Sequence, residues 1–117
     1  MKAHKKCIVA EVDEGHMVVS FISPEVALPS QVETALREIH EAADEFNVRR
    51  LVINFTHVRH LSSAFLGKLT ALHKQLSAKG VQLRLCCMSA DAEHAYKLVS
   101  LQKLIPLYAT EEEALKE

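Results

Sequence analysis

Apolar and polar positions first alternate along this chain and then recur at helical spacing. Over Cys7–Glu14, Ile8, Ala10 and Val12 alternate with Glu11 and Asp13, the period of a half-buried strand. Met17–Phe21 predicts a second strand, and Asp13-Glu14-Gly15-His16 between them supplies the turn chemistry of a hairpin. Pro24 and Pro29 bracket an irregular link. A helix is predicted from Gln31 to Phe46, opened by a capping box of Ser30 and Glu33. Its buried stripe is Val32, Leu36, Ile39, Ala43 and Phe46, with Arg37, Glu38, Glu41 and Glu45 away from it.

After Arg49-Arg50, read as a solvated approach to a strand, the unbroken apolar run Leu51-Val52-Ile53-Asn54-Phe55 predicts a strand covered on one or both faces. Phe65, Leu69, Leu72 and Leu76 place a second helix over Ser63–Lys79, with Gly80 where a helix-ending glycine belongs. Val81–Cys87 follows as a strand. Ser89 caps a third helix, Ala90–Val99, and Leu101–Tyr108 includes a short strand. Thr110 and Glu113 form a second capping box, opening a last helix through Leu115. The order β-β-α-β-α-β-α-β-α predicts an α/β fold: a mixed, largely parallel sheet flanked by about four helices. Residues 1–117 are expected to form one domain with its core over about 7–115, and Met1–Lys6 and Lys116-Glu117 as frayed ends.

Composition narrows the function classes. Hydrophobic residues at 49% and charged residues at 25% are ample for a core, which excludes intrinsic disorder. Fourteen Lys and Arg against fifteen Asp and Glu leave a net charge of −1. That balance argues against nucleic acid or an acidic membrane as a direct partner. Aromatics at 5%, without Trp, weaken a base-stacking surface. Three cysteines, Cys7, Cys86 and Cys87, are odd in number and two are adjacent, so no disulfide framework is read and a reducing compartment fits. No apolar stretch reaches the roughly 20 residues that span a bilayer, and no signal segment is read, so the expected location is the cytoplasm. The glycosylation pattern Asn54-Phe55-Thr56 falls on the expected buried strand and is set aside.

Candidate chemistry concentrates in the link from the most buried strand to the second helix, Thr56–Gly67, because ligands and partners of open α/β sheets meet the carboxyl ends of strands. A metal reading of His57 and His60, flanking Arg59, would make a small metal-assisted hydrolase. It needs more ligands, and Cys86 and Cys87, adjacent on a strand, should point to opposite faces. His73 and His94 read as helix-surface residues. With glycine only at 15, 67 and 80, no phosphate-binding loop can be assembled, and no cofactor is expected. Ser62 and Ser63 sit at a helix start, where serine is commonly a plain N-cap. Phe65 is in phase with the core, and alternatively a first-turn anchor for a partner.

The same stretch carries a resemblance. Leu51-Val52-Ile53-Asn54-Phe55, a polar link and then Leu61-Ser62-Ser63-Ala64-Phe65-Leu66-Gly67 resemble a STAS domain, the family of bacterial anti-sigma factor antagonists and of the cytoplasmic domains of sulphate transporters. Val99–Ile105 and Tyr108–Leu115 are similar to that family's closing segments. The resemblance implies a STAS-like fold and a non-enzymatic, protein-binding regulator of transcription. Its switch would be a serine phosphorylated by a serine-kinase anti-sigma factor and cleared by a phosphatase. The implied acceptor is Ser63, with Ser62 as the alternative, and the implied partner surface is His57, Arg59, His60, Ser62, Ser63, Ala64, Phe65 and Gly67. Against the family pattern, Ser62 replaces an Asp, Ala64 a Ser or Thr and Phe65 a Gly, while Leu66 and Gly67 match. Those departures bear on kinase recognition and keep open a module that assembles signalling proteins without being phosphorylated.

Overall fold

The computed structural model of the chain describes residues 1–23, 25–26 and 29–116, with all their side chains except those of Glu25, Val26 and His60. The strands are β1 (Lys2–His4), β2 (Ile8–Asp13), β3 (His16–Phe21), β4 (Glu25–Val26), β5 (Arg50–Asn54), β6 (His60–Leu61), β7 (Gln82–Cys86) and β8 (Leu107–Tyr108). The helices are α1 (Pro29–Phe46), α2 (Ser63–Ala78), α3 (Ala90–Leu98) and α4 (Glu111–Leu115), with a 3-10 turn over Leu101–Lys103. Six strands form one sheet in the order β1-β2-β3-β5-β7-β8. The first three run antiparallel and the last four parallel. The expected mixed, largely parallel α/β architecture is therefore present.

Register explains how the sheet is covered. Val19, Ile53, Leu85 and Leu107 lie in one row across four strands, and they join the main core with α1, α2 and Tyr96 of α3. The opposite face carries Val52 and Cys86, packed with Ala114 and Leu115 of α4. Strand β5 is thus covered on both sides, and Leu51, Val52 and Ile53 have no exposed surface. This is the arrangement its unbroken apolar run predicts.

Local chemistry sets most boundaries. Glu14 and Gly15 take φ of 50° and 83°, a two-residue hairpin turn with both central residues left-handed. At the end of α2, Gly80 takes φ of 79°. Its N–H donates to Ser77 O at 3.0 Å, and that of Val81 to Leu76 O at 2.9 Å, the paired bonds that satisfy the last carbonyls. A Cβ at Gly80 would meet nothing within 4 Å, so Gly80→Ala tests the backbone alone. It is expected to cost about 1 kcal/mol, read as a lower denaturant midpoint with unchanged slope. Ser89 Oγ accepts from Ala92 N at 3.1 Å and Thr110 Oγ1 from Glu113 N at 3.2 Å, both as anticipated.

Four expectations are corrected. Met1–Lys6 is not a frayed end: β1 pairs with β2, the Met1 ammonium donates to Val12 O at 3.0 Å, and Val12 N donates to Met1 O at 2.7 Å. Helix α1 begins at Pro29, so Ser30 lies inside it rather than capping it; proline suits a first helical position because it has no N–H to satisfy. Glu38 is buried, not solvent-facing: its carboxylate accepts from Lys6 N at 2.9 Å and Cys7 N at 2.8 Å, and so staples the N-terminal segment to α1. Arg50 is not simply solvated. Its Nη1 donates to Leu115 O at 2.9 Å, while buried Arg84 donates to Ala114 O at 2.9 Å and to Lys116 O and lies over the Tyr108 ring. Two guanidinium groups so occupy the last carbonyls of a five-residue helix that lacks cations of its own in its last turn. Pro24 and Glu117, named in the sequence reading, lie outside the described residues.

Candidate functional site

The link between β5 and α2 is organised by Asn54. Its Oδ1 accepts from Thr56 N at 2.8 Å and from Thr56 Oγ1 at 2.5 Å, closing an Asx turn. Its Nδ2 donates to Glu111 Oε1 at 2.8 Å, which ties the turn to the start of α4. Sequence reasoning placed Asn54 in the strand run and in the family resemblance and set its glycosylation pattern aside, but gave its side chain no structural role. The overlooked signal was a side-chain amide at the last position of an apolar strand, where an Asx turn is favoured.

Val58 N donates to Phe55 O at 3.0 Å, and the Val58 side chain is buried. His57 and Arg59, on either side of it, are exposed. The chain then forms β6, parallel to β4 with His60 opposite Glu25 and Leu61 opposite Val26; the His60 side chain lies outside the described residues.

Ser62 is the N-cap of α2. It has extended backbone angles (φ −78°, ψ 151°), and its Oγ accepts from Phe65 N at 3.0 Å. This engagement leaves Ser63 as the first helical residue, exposed beside exposed Ala64 and Gly67. The backbone N–H groups of Ser63 and Ala64 belong to the opening turn of a 16-residue helix, which has no intrahelical acceptors for them. A Cβ on Gly67 would meet nothing within 4 Å, so no packing inside the chain demands glycine there. In a helix interior glycine costs roughly 1 kcal/mol relative to alanine.

Phe65 does not belong to the surface. It is 0% exposed and packs edge-on against Phe21, with ring centroids 5.6 Å apart and planes at 78°, and against Phe55 at 6.2 Å and 88°. Its inclusion among partner-contacting residues is corrected. Burial of a large ring beneath the first turn leaves it nothing to offer a partner directly, and it instead supports the serine turn from below.

Among the described residues no three His, Cys, Asp or Glu side chains converge as metal ligands. His94 is exposed, whereas His73 is half-buried, with Nδ1 lacking a partner among the described residues. No helix among the described residues is long and apolar enough to cross a membrane.

A family model for the STAS domain matches residues 8–114. A STAS-domain anti-sigma-factor antagonist protein from Planctomyces limnophilus superposes with a TM-score of 0.77 at 20% identity, over 92% of this chain and 94% of that one. The unphosphorylated anti-sigma factor antagonist SpoIIAA superposes at 0.75 with 21% identity, over 92% of each chain. The phosphorylated form of the Bacillus cell-fate determinant SpoIIAA superposes at 0.67 with 22% identity, over 92% of this chain and 96% of that one.

Proposed function

The chain belongs to the STAS domain family, and on that premise we propose that it works as an anti-sigma factor antagonist. In this reading, the unmodified protein binds and sequesters a serine-kinase anti-sigma factor in the cytoplasm and so frees a sigma factor. Phosphorylation of Ser63 weakens the complex, and a phosphatase restores it. The observation that carries the reading is the exposed Ser63 at the first position of α2, with Ser62 already committed to the N-cap.

A phosphate on Ser63 adds about −1.5 to −2 charge to a chain whose net charge is −1. At a helix N-terminus that charge meets free N–H groups and the positive end of the dipole, so it leaves the fold intact. The effect falls on the partner, whose surface would have to accept a new dianion. His57, Arg59, His60, Ser62, Ala64 and Gly67 form the rest of the proposed contact surface. An exposed glycine that packing does not require suits a surface where a partner's backbone comes close. The near-neutral charge favours protein over nucleic acid or membrane as the direct partner.

The test is incubation with the serine-kinase anti-sigma factor of the same organism and ATP, followed by mass spectrometry. A gain of about 80 Da on the tryptic peptide His60–Lys68, localised to Ser63 and absent in Ser63→Ala, is the expected result. Phosphate located outside Ser62 and Ser63, or none, overturns the switch. The scaffold reading draws on one feature: the residue before the acceptor is an N-cap serine instead of a carboxylate. Partners captured equally by Ser63→Asp and parent protein would favour it. The metal-hydrolase reading of His57 and His60 gains no support from the described residues.

A further inference from the structure

Two cysteines end β7. Strand alternation would send their side chains to opposite faces, as the sequence reading has it, but the backbone departs from alternation there. Cys87 takes φ of 65°, a left-handed conformation that disfavours any side chain with a Cβ. The reversal brings both sulfurs into the same small cluster. Cys86 is 0% exposed with Val52 and Ala114, and half-buried Cys87 packs against that cluster. Burial, first, and then the adjacent Cys87 thiol push the Cys86 thiol well above the ordinary thiol range, so Cys86 holds its proton while Cys87 faces solvent in part. Cys7, at the start of β2, is three strands away, about 14 Å at ordinary strand spacing.

We propose that Cys86 and Cys87 are a redox pair that closes reversibly into a vicinal disulfide when the protein meets a hydroperoxide. The half-buried Cys87 thiolate attacks the peroxide, giving a sulfenic acid and releasing hydroxide or alkoxide. The Cys86 sulfur then displaces the sulfenic oxygen. The S–S bond forms, the S–O bond breaks, and the Cys86 proton leaves with that oxygen as water. Two thiols are oxidised by one hydroperoxide, with water as the second product when the oxidant is hydrogen peroxide. Neighbouring Cα atoms lie about 3.8 Å apart across a trans peptide, below the usual 4.4–6.8 Å of a disulfide, so the ring is strained and readily reduced.

The peptide that would twist on closure is tied at both ends. Cys86 O accepts from Phe55 N at 3.0 Å, and Cys87 N donates to Tyr108 O at 3.1 Å. Phe55 is where β5 gives way to the link leading to Ser62. The pair therefore lies one backbone hydrogen bond from that link, and its closure does not depend on whether Ser63 is ever phosphorylated.

The full chain, reduced, desalted and treated with equimolar hydrogen peroxide, is expected to lose about 2 Da and to regain it with dithiothreitol. After denaturation, N-ethylmaleimide should label both cysteines of the tryptic peptide Leu85–Lys97 in the untreated protein and neither in the treated one. Oxygen added to Met88 on the same peptide does not change that count. Cys7→Ser and Ser63→Ala should behave as the parent, and Cys87→Ser should abolish the loss. Phe55 should exchange its amide hydrogen faster in the oxidised form. The proposal is overturned by no 2-Da loss, by sulfinic or sulfonic acid on Cys87 alone, or by a disulfide to Cys7 or a second chain. Unchanged closure in Ser63→Ala separates a failure here from a failure of the phosphorylation reading.

Discussion

Phe65→Ala is expected to lower the free energy of unfolding by about 3–5 kcal/mol, the range for emptying an aromatic site in a packed core. Three rings meet there: Phe21 from β3, Phe55 at the end of β5 and Phe65 from the first turn of α2. Phe65 has no exposed surface, and the rings of Phe21 and Phe55 against it are themselves buried, so truncation leaves a cavity that water cannot comfortably fill. Two edge-to-face contacts are lost as well, each worth about 0.5–1.5 kcal/mol beyond area alone. Urea titration measures the loss. A change below about 1.5 kcal/mol would mean that the first turn collapses onto the gap. A Phe65→Leu variant should keep most of the stability, because it retains a large part of the apolar volume. Such a loss would show that the aromatic ring standing where the family pattern has glycine is there for packing.

Ser63→Glu is expected to weaken binding to the anti-sigma kinase by about 10–100-fold, a cost of roughly 1.4–2.8 kcal/mol. Its melting temperature should stay level or rise slightly. The two effects separate because they act on different surfaces. At the first position of α2 a carboxylate meets the positive end of the helix and contributes about 0.3–1 kcal/mol to folding. The same charge on an exposed side chain faces the partner. Isothermal titration calorimetry and a thermal melt on the same preparation check both halves. Unchanged affinity would remove Ser63 from the interface, and a fall in melting temperature would place the fault in folding instead.

The glycosylation pattern at Asn54 shows how far the site was legible. The sequence placed the serine turn, the cap and the helix behind it, because Ser62, Phe65 and Leu69 interact within a few residues of one another. The side-chain role of Asn54 was missed because half of it is non-local. It closes a turn onto Thr56, which sequence can suggest, and it also reaches Glu111, 57 residues away. Arg84 was passed over and Arg50 taken as solvated for the same reason, since the carbonyls they hold lie 30 to 65 residues further on.

What the sequence determined by itself is the order of the four helices and of strands β2, β3, β5, β7 and β8, and where most of them stop; it missed the short strands β1, β4 and β6. Alternation and helical spacing reflect which face of each element is apolar, and the caps at Ser62, Ser89, Thr110 and Gly80 act on neighbouring backbone groups. Tertiary structure alone decided the rest. It brought the first strand back along β2, gave Glu38 two amides from another segment, buried Phe65 among rings from two strands and turned Cys87 to the side of Cys86. In each case a polar or aromatic group is satisfied by a partner distant in sequence, or the backbone takes a conformation that no local pattern of side chains encodes.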